Sequence, residues 1–99
     1  MGLLEKGPVD AGRSAQRHIL EMGLQYSVLN VFKSGTPGIY MILAKKMGSY
    51  DDYAVWSSWD QTNKRFVEAG ISSIKTIDEA YETLAELFLE QTEGIILCS

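Results

Sequence analysis

The chain has 99 residues, of which 45% are apolar, 10% aromatic and 22% charged, and its formal net charge is −4. This length and apolar content predict one folded domain, because disordered chains contain fewer apolar residues and two independent cores need a longer chain. The negative net charge argues against a protein whose whole surface binds duplex DNA or an anionic membrane.

Cysteine and histidine are too few for several common kinds of site. Cys98 is the only cysteine and His18 the only histidine, which excludes an intramolecular disulfide and a zinc site built from four such ligands. The glycine patterns that bind nucleotide phosphates are absent as well, so we expect neither a cofactor nor a metal. A single cysteine is typical of a reducing compartment and predicts a cytoplasmic location. The longest apolar run, residues 39–44, is far below the roughly 20 residues of a membrane-spanning helix.

The chain begins with a segment that lacks the apolar stretch of a signal peptide. We expect residues 1–9 to form a flexible lead-in to a single domain of residues 10–99. Small and apolar residues then recur at intervals of four, four and three, which predicts a helix over residues 10–22. They are Ala11, Ala15, Ile19 and Met22. Asp10 is the predicted N-cap, and Gly23 is predicted to follow the end of the helix.

The middle of the chain is rich in β-branched and aromatic residues, and clusters of Gly, Pro, Ser and Asn interrupt it. Such clusters favour turns. The pattern predicts an antiparallel meander, with strands at residues 26–33, 39–46, 52–59 and 65–69.

The strongest local signal is a capping box at residues 76–79, in which Thr76 and Glu79 can each satisfy a free amide at the start of a helix. Apolar residues follow at helical spacing, among them Leu84 and Phe88, and predict a helix over residues 76–91. Gly94 is predicted to end this helix. Residues 95–98 are then either a short final strand or a packed tail.

Charge is distributed unevenly along the chain. Residues 1–75 contain nine basic and seven acidic residues, whereas residues 76–99 contain six acidic residues and no basic one. Helical spacing places Glu82, Glu86 and Glu90 opposite the apolar stripe, at an interval where like charges repel. This acidic face either serves solubility alone or binds a basic partner, including basic residues of a second copy of the chain.

Aromatic residues concentrate in the predicted sheet, interleaved with lysines. Three of them, Tyr53, Trp56 and Trp59, are candidates for a contact surface on an exposed sheet face. The same residues could stack on unpaired bases, although strand alternation sends Tyr53 and Trp56 to opposite faces. Core packing is the third interpretation.

His18 is the one side chain that normally titrates near neutral pH, so it is the first candidate for a catalytic role. Helical spacing places it beside the apolar stripe of the first helix. Cys98 lacks the helix N-terminus at which a nucleophilic thiolate is usually found. A structural histidine is the favoured interpretation, and no catalytic residue is assigned.

Together these patterns predict an α+β fold in which both helices pack on one side of an antiparallel sheet of three to five strands. The predicted function is a small, non-enzymatic interaction module. Its expected partner is another protein, which is either basic in character or a second copy of the chain in a homodimer. The partner-binding candidates are Tyr53, Trp56, Trp59, Glu82, Glu86 and Glu90. The alternative is a module that binds single-stranded nucleic acid through the Tyr, Trp and Lys cluster.

Overall fold

A computed structural model describes residues 4–98 of the chain, and the side chains of residues 4–90. The fold is α+β, as predicted: a helix, an antiparallel meander and a second helix. The elements in chain order are α1 (Val9–Glu21), β1 (Tyr26–Lys33), β2 (Ile39–Lys46), β3 (Tyr53–Asp60), β4 (Arg65–Phe66), β5 (Ile71–Ile74) and α2 (Ile77–Cys98). Among the described residues, no helix is both long and apolar enough to cross a membrane.

The five strands form one antiparallel sheet in the order β1-β2-β3-β4, and β5 also pairs with β3. A bulge at Leu29 in β1 and another in β3 interrupt the regular pairing. In β3 the bulge lies between two register pairs, Tyr40 with Trp59 and Ile42 with Trp56. The extra residue turns Trp56 and Trp59 toward the same face of the sheet, which simple alternation would not do.

The final part of the meander differs from its prediction. We expected one strand over residues 65–69, whereas β4 contains only Arg65 and Phe66. A further strand, β5, follows at Ile71–Ile74 and pairs with the first half of β3. Ser73 in β5 has a positive φ of 61° and lies in a bulge of that strand. This backbone conformation is uncommon for residues other than glycine, and the sequence carries no sign of it.

Helix α1 confirms the predicted segment, but its N-cap was predicted wrongly. Pro8 is the N-cap and makes no side-chain hydrogen bond, and Asp10 lies in the first turn instead. An acidic residue is favourable there because it faces the positive end of the helix dipole. At the other end, the Leu24 amide donates to the Ile19 carbonyl and Gly23 adopts a φ of 80°. Gly23 therefore ends the helix as predicted, in a Schellman motif.

Helix α2 starts at its predicted cap, where the Glu79 amide donates to Thr76 Oγ1 over 3.1 Å. Its end was predicted wrongly, because the helix continues through Gly94 to Cys98. Residues 95–98 are therefore helical and do not form a final strand. A glycine inside a helix costs only about 1 kcal/mol, which the surrounding helix formers can offset.

The two helices pack on opposite faces of the sheet, and our expectation that they share one side was wrong. Neighbouring residues of β2 point to opposite faces. Ile42 and Ala44 belong to the core cluster that includes Ala11, Ala15 and Ile19 of α1. Met41 and Leu43 belong to a second cluster with Ala80 and Leu84 of α2. The continuous apolar run of β2 reflects this burial on both faces.

Candidate interaction surfaces

The two tryptophans of the predicted contact surface lie in the core beneath α1. Trp59 is completely buried, and Trp56 is 6% exposed. Trp59 Nε1 donates a hydrogen bond to Gln61 Oε1 over 2.8 Å, which satisfies its polar group. Tyr53 lies on the opposite face, half-buried against the α2-side cluster. The three aromatic candidates therefore do not come together, and the tryptophans contribute almost no surface.

His18 packs against the same aromatic core. The centre of its ring lies 5.4 Å from that of Trp59 and 5.7 Å from that of Phe66. These ring contacts agree with the interpretation of a structural histidine. The side chain of Cys98 lies outside the described residues. Among the described residues there is no group of three or more His, Cys, Asp or Glu side chains arranged to hold a metal.

Helix α2 has the two different sides that its sequence predicts. Ala80 and Leu84 are completely buried against the sheet, whereas Glu82, Glu86 and Glu90 are exposed. We call these three exposed residues the acidic face. The two ion pairs found among the described side chains, Lys33–Glu5 and Lys46–Asp52, do not involve α2. The acidic face is therefore not neutralised by a salt bridge to any described residue of the same chain.

A groove that the sequence analysis missed runs between α1 and β1, the edge strand of the sheet. It has a volume of about 550 Å³. Its rim carries Lys6, Arg13 and Arg17, all exposed, and no acidic residue lines it. Apolar side chains, including Val28 and Leu29, form much of the rest of its lining. We call this feature the basic groove.

Backbone groups of the edge strand beside the groove already have partners. The side chain of Gln16 accepts a hydrogen bond from the Val28 amide and donates one to the Tyr26 carbonyl, both over 2.8 Å. Further along β1, the Gly7 amide donates to the Val31 carbonyl over 2.9 Å. Residues 5–7 of the expected lead-in thus lie along the strand. The groove is consequently suited to receive side chains, because an added strand would find these backbone groups occupied.

Glycines allow the close contacts that shape one wall of the groove. A Cβ atom at Gly12 would lie 2.9 Å from a methyl carbon of Val31, and one at Gly7 would lie equally close to the other methyl. Real Cβ atoms essentially never show so short a contact. Both glycines thus let α1 and its preceding segment approach β1 closely.

No family model, curated protein or solved structure matches this chain. Its surfaces must therefore be interpreted from their own geometry and charge.

A second recess, of about 410 Å³, lies near the β2–β3 turn and is lined by Lys45, Lys46 and Tyr50 among others. Tyr50 is 93% exposed. The ammonium group of Lys45 lies 5.9 Å from the ring centres of both Tyr50 and Tyr53. We call Lys45, Tyr50 and Tyr53 the lysine–tyrosine cluster. Within this cluster Tyr50 is exposed, whereas Lys45 and Tyr53 are half-buried.

Two described side chains, those of Asp60 and Tyr26, have shifted pKa values, and both shifts arise from local contacts within the fold. Hydrogen bonds from the side chain and backbone of Asn63 lower the pKa of Asp60, whose carboxylate organises the turn after β3. Burial raises the pKa of Tyr26, and the negative charge of Asp52 adds to this effect. Neither group faces the basic groove or the acidic face.

Proposed function

We propose that this chain is a small, non-enzymatic protein-interaction module that binds a basic protein surface through the acidic face of α2. The observation that supports this most directly is the exposure of Glu82, Glu86 and Glu90 without a salt bridge to a described residue of the chain. Consecutive members lie about 6 Å apart along the helix axis, since each residue adds about 1.5 Å.

The helix fixes the backbone positions from which these carboxylates project, because Ala80 and Leu84 anchor its other side in the core. Each like-charge pair at this spacing costs a few tenths of a kcal/mol within an isolated helix. A basic partner would convert this repulsion into attraction and would be guided toward the site by the local charge. Solubility alone is the competing explanation, and it requires no partner.

Affinity capture with the full chain as bait separates the two explanations. The test variant carries Glu82→Gln, Glu86→Gln and Glu90→Gln, and the matched control carries Asp10→Asn, Glu21→Gln and Asp51→Asn. All six residues are exposed, so both variants lose the same charge from the surface. We expect the test variant alone to lose a partner that the unmodified chain captures from its native host. Equal capture by both variants would reduce the acidic face to a solubility feature.

The lysine–tyrosine cluster supports a second candidate function, binding of single-stranded nucleic acid. An exposed aromatic ring beside a lysine can stack on a base while the ammonium group contacts a phosphate. The buried tryptophans are unsuitable reporters of such binding, so the appropriate measurement is fluorescence anisotropy of a labelled oligonucleotide. This candidate requires binding that weakens with salt and with Tyr50→Ala. Absence of binding at low salt would eliminate it.

We propose a cytoplasmic location as well. It is supported by the single cysteine, which cannot form a disulfide within one chain. Microscopy of the tagged protein in its host tests this directly, and localisation to an oxidising compartment would contradict it.

A further inference from the structure

We propose that the partner is a second copy of the chain, and that the acidic face of one copy docks into the basic groove of the other. This inference rests on the proposed function, because it uses the same acidic face, and it adds the identity of the opposing surface. The two surfaces have opposite charge: three exposed carboxylates on α2, and Lys6, Arg13 and Arg17 around a groove without acidic lining.

The two surfaces also match in their apolar parts. Leu89 on α2 is 42% exposed and lies one turn after Glu86, on the side of the helix that carries Glu82 and Glu86. Leu29, which lines the groove, is 41% exposed because it occupies the bulge of β1. In the proposed contact, an acidic patch with an exposed leucine on one copy meets a groove with apolar lining and a cationic rim on the other copy. Burial of both leucines would add an apolar contribution to the charge attraction.

The contact cannot form within one chain. The basic groove lies along the β1 edge of the sheet beside α1, with Leu29 in its lining, whereas α2 covers the face opposite α1 and turns its acidic side away from the sheet. Satisfying both surfaces therefore requires another molecule. In a twofold-symmetric dimer each copy supplies one acidic face and one groove, so two equivalent contacts close the assembly.

Paired charge reversals test this arrangement. The groove variant carries Arg13→Glu and Arg17→Glu, and the helix variant carries Glu82→Lys and Glu86→Lys. Each variant alone would place like charges together at both contacts, and we expect its dimer dissociation constant to rise about 100-fold. In an equimolar mixture both contacts regain opposite charges. The mixture should therefore recover the dimer, with a mass twice the 11.0 kDa of the single chain.

Mass is measured by sedimentation equilibrium over a range of concentrations, and circular dichroism verifies that each variant is folded. A control with Arg65→Glu and Lys75→Glu changes charge outside the groove and should leave the dimer intact. If a reversal variant does not fold, the milder changes Arg13→Gln and Arg17→Gln replace it and should still weaken the dimer.

Three outcomes would overturn the inference: an unmodified chain that stays monomeric, a dimer that survives either reversal, or no recovery in the mixture. A monomeric chain that still captures another protein through its acidic face would refute self-association and leave the proposed function standing. A dimer that depends on the groove but not on α2 would refute the inference, because it would assign the groove a different occupant, and the capture experiment alone would then decide the proposed function.

Discussion

The two faces of the sheet differ in which layer, the sheet or the helix, contributes the larger side chains to the core. Under α1 the sheet supplies large aromatic side chains, and the helix contributes mainly small residues such as Ala11 and Ala15. Under α2 the sheet supplies mainly aliphatic side chains such as Leu43 and Val55, with Phe32 as its one buried aromatic residue, and the helix contributes large ones such as Leu84 and Phe88. Close packing therefore depends on the combined volume of two layers, and either layer can supply the larger side chains.

A substitution on the aromatic face, beneath α1, should cost the most stability. Trp59→Ala removes a completely buried ring that contacts His18 and Phe66, and we expect a loss of about 3–5 kcal/mol in the free energy of unfolding. Chemical denaturation followed by circular dichroism measures this loss. Tyr50→Ala, at an exposed site, should change stability by less than about 0.5 kcal/mol. Similar values for the two variants would contradict the assignment of Trp59 to the core.

Enlarging a small residue of α1 tests the other layer of the same face. Ala15 is completely buried against the sheet, so Ala15→Leu should cost about 1–3 kcal/mol through overpacking. Ala85 on α2 is only half-buried, and Ala85→Leu serves as the matched control with a smaller expected cost. The comparison of the two faces fails if α1 accepts the leucine as readily as α2 does.

The helix starts offer a smaller contrast, because α1 begins without a side-chain cap and α2 begins with Thr76. Thr76→Ala should lower the free energy of unfolding by about 1 kcal/mol. The Thr83 hydroxyl donates a hydrogen bond to the Glu79 carbonyl inside the helix. Thr83→Ala should be neutral or slightly stabilising, because alanine is the better helix former. Thermal and chemical unfolding of both variants would distinguish a loss at the cap from a general effect of removing threonine.

The smallest expected effect belongs to the acidic face. Replacement of Glu82, Glu86 and Glu90 by glutamine removes two like-charge pairs at the i,i+4 interval. The isolated chain should become more stable by a few tenths of a kcal/mol, most clearly at low salt. A marked loss of stability in denaturation experiments would mean that these carboxylates hold the fold together. That result would remove the basis for assigning them to a partner.

The sequence predicted the parts of the fold that depend on local patterns. Strands β1 and β2 span the predicted residues 26–33 and 39–46, since clear turn signals separate two apolar segments. The capped start of α2 and the burial of Leu84 opposite exposed glutamates could be predicted equally well from the sequence. These features depend on residues that are close together in the chain, where periodicity and capping preferences are informative.

The remaining features depend on residues that are distant in the chain. The bulge in β3 places both tryptophans on the face covered by α1, and no local pattern indicates where an extra residue enters a strand. Strand β5 was missed because it is short, contains two serines and includes a positive φ at Ser73. The basic groove was missed because Arg13 and Arg17 look like ordinary solvent-exposed residues of a helix. Only the packing of α1 beside β1 turns them into its rim.

The hydrogen bonds of Gln16 protect the β1 edge of the sheet from pairing with another molecule. One primary amide occupies the position that a neighbouring strand would otherwise take along Tyr26 and Val28. Rotation about the bonds of this single side chain is enough to uncover two unpaired backbone groups. While these two bonds are made, an extended segment of another molecule finds no free backbone donor or acceptor at this margin of the sheet, which is a protection that edge strands commonly need.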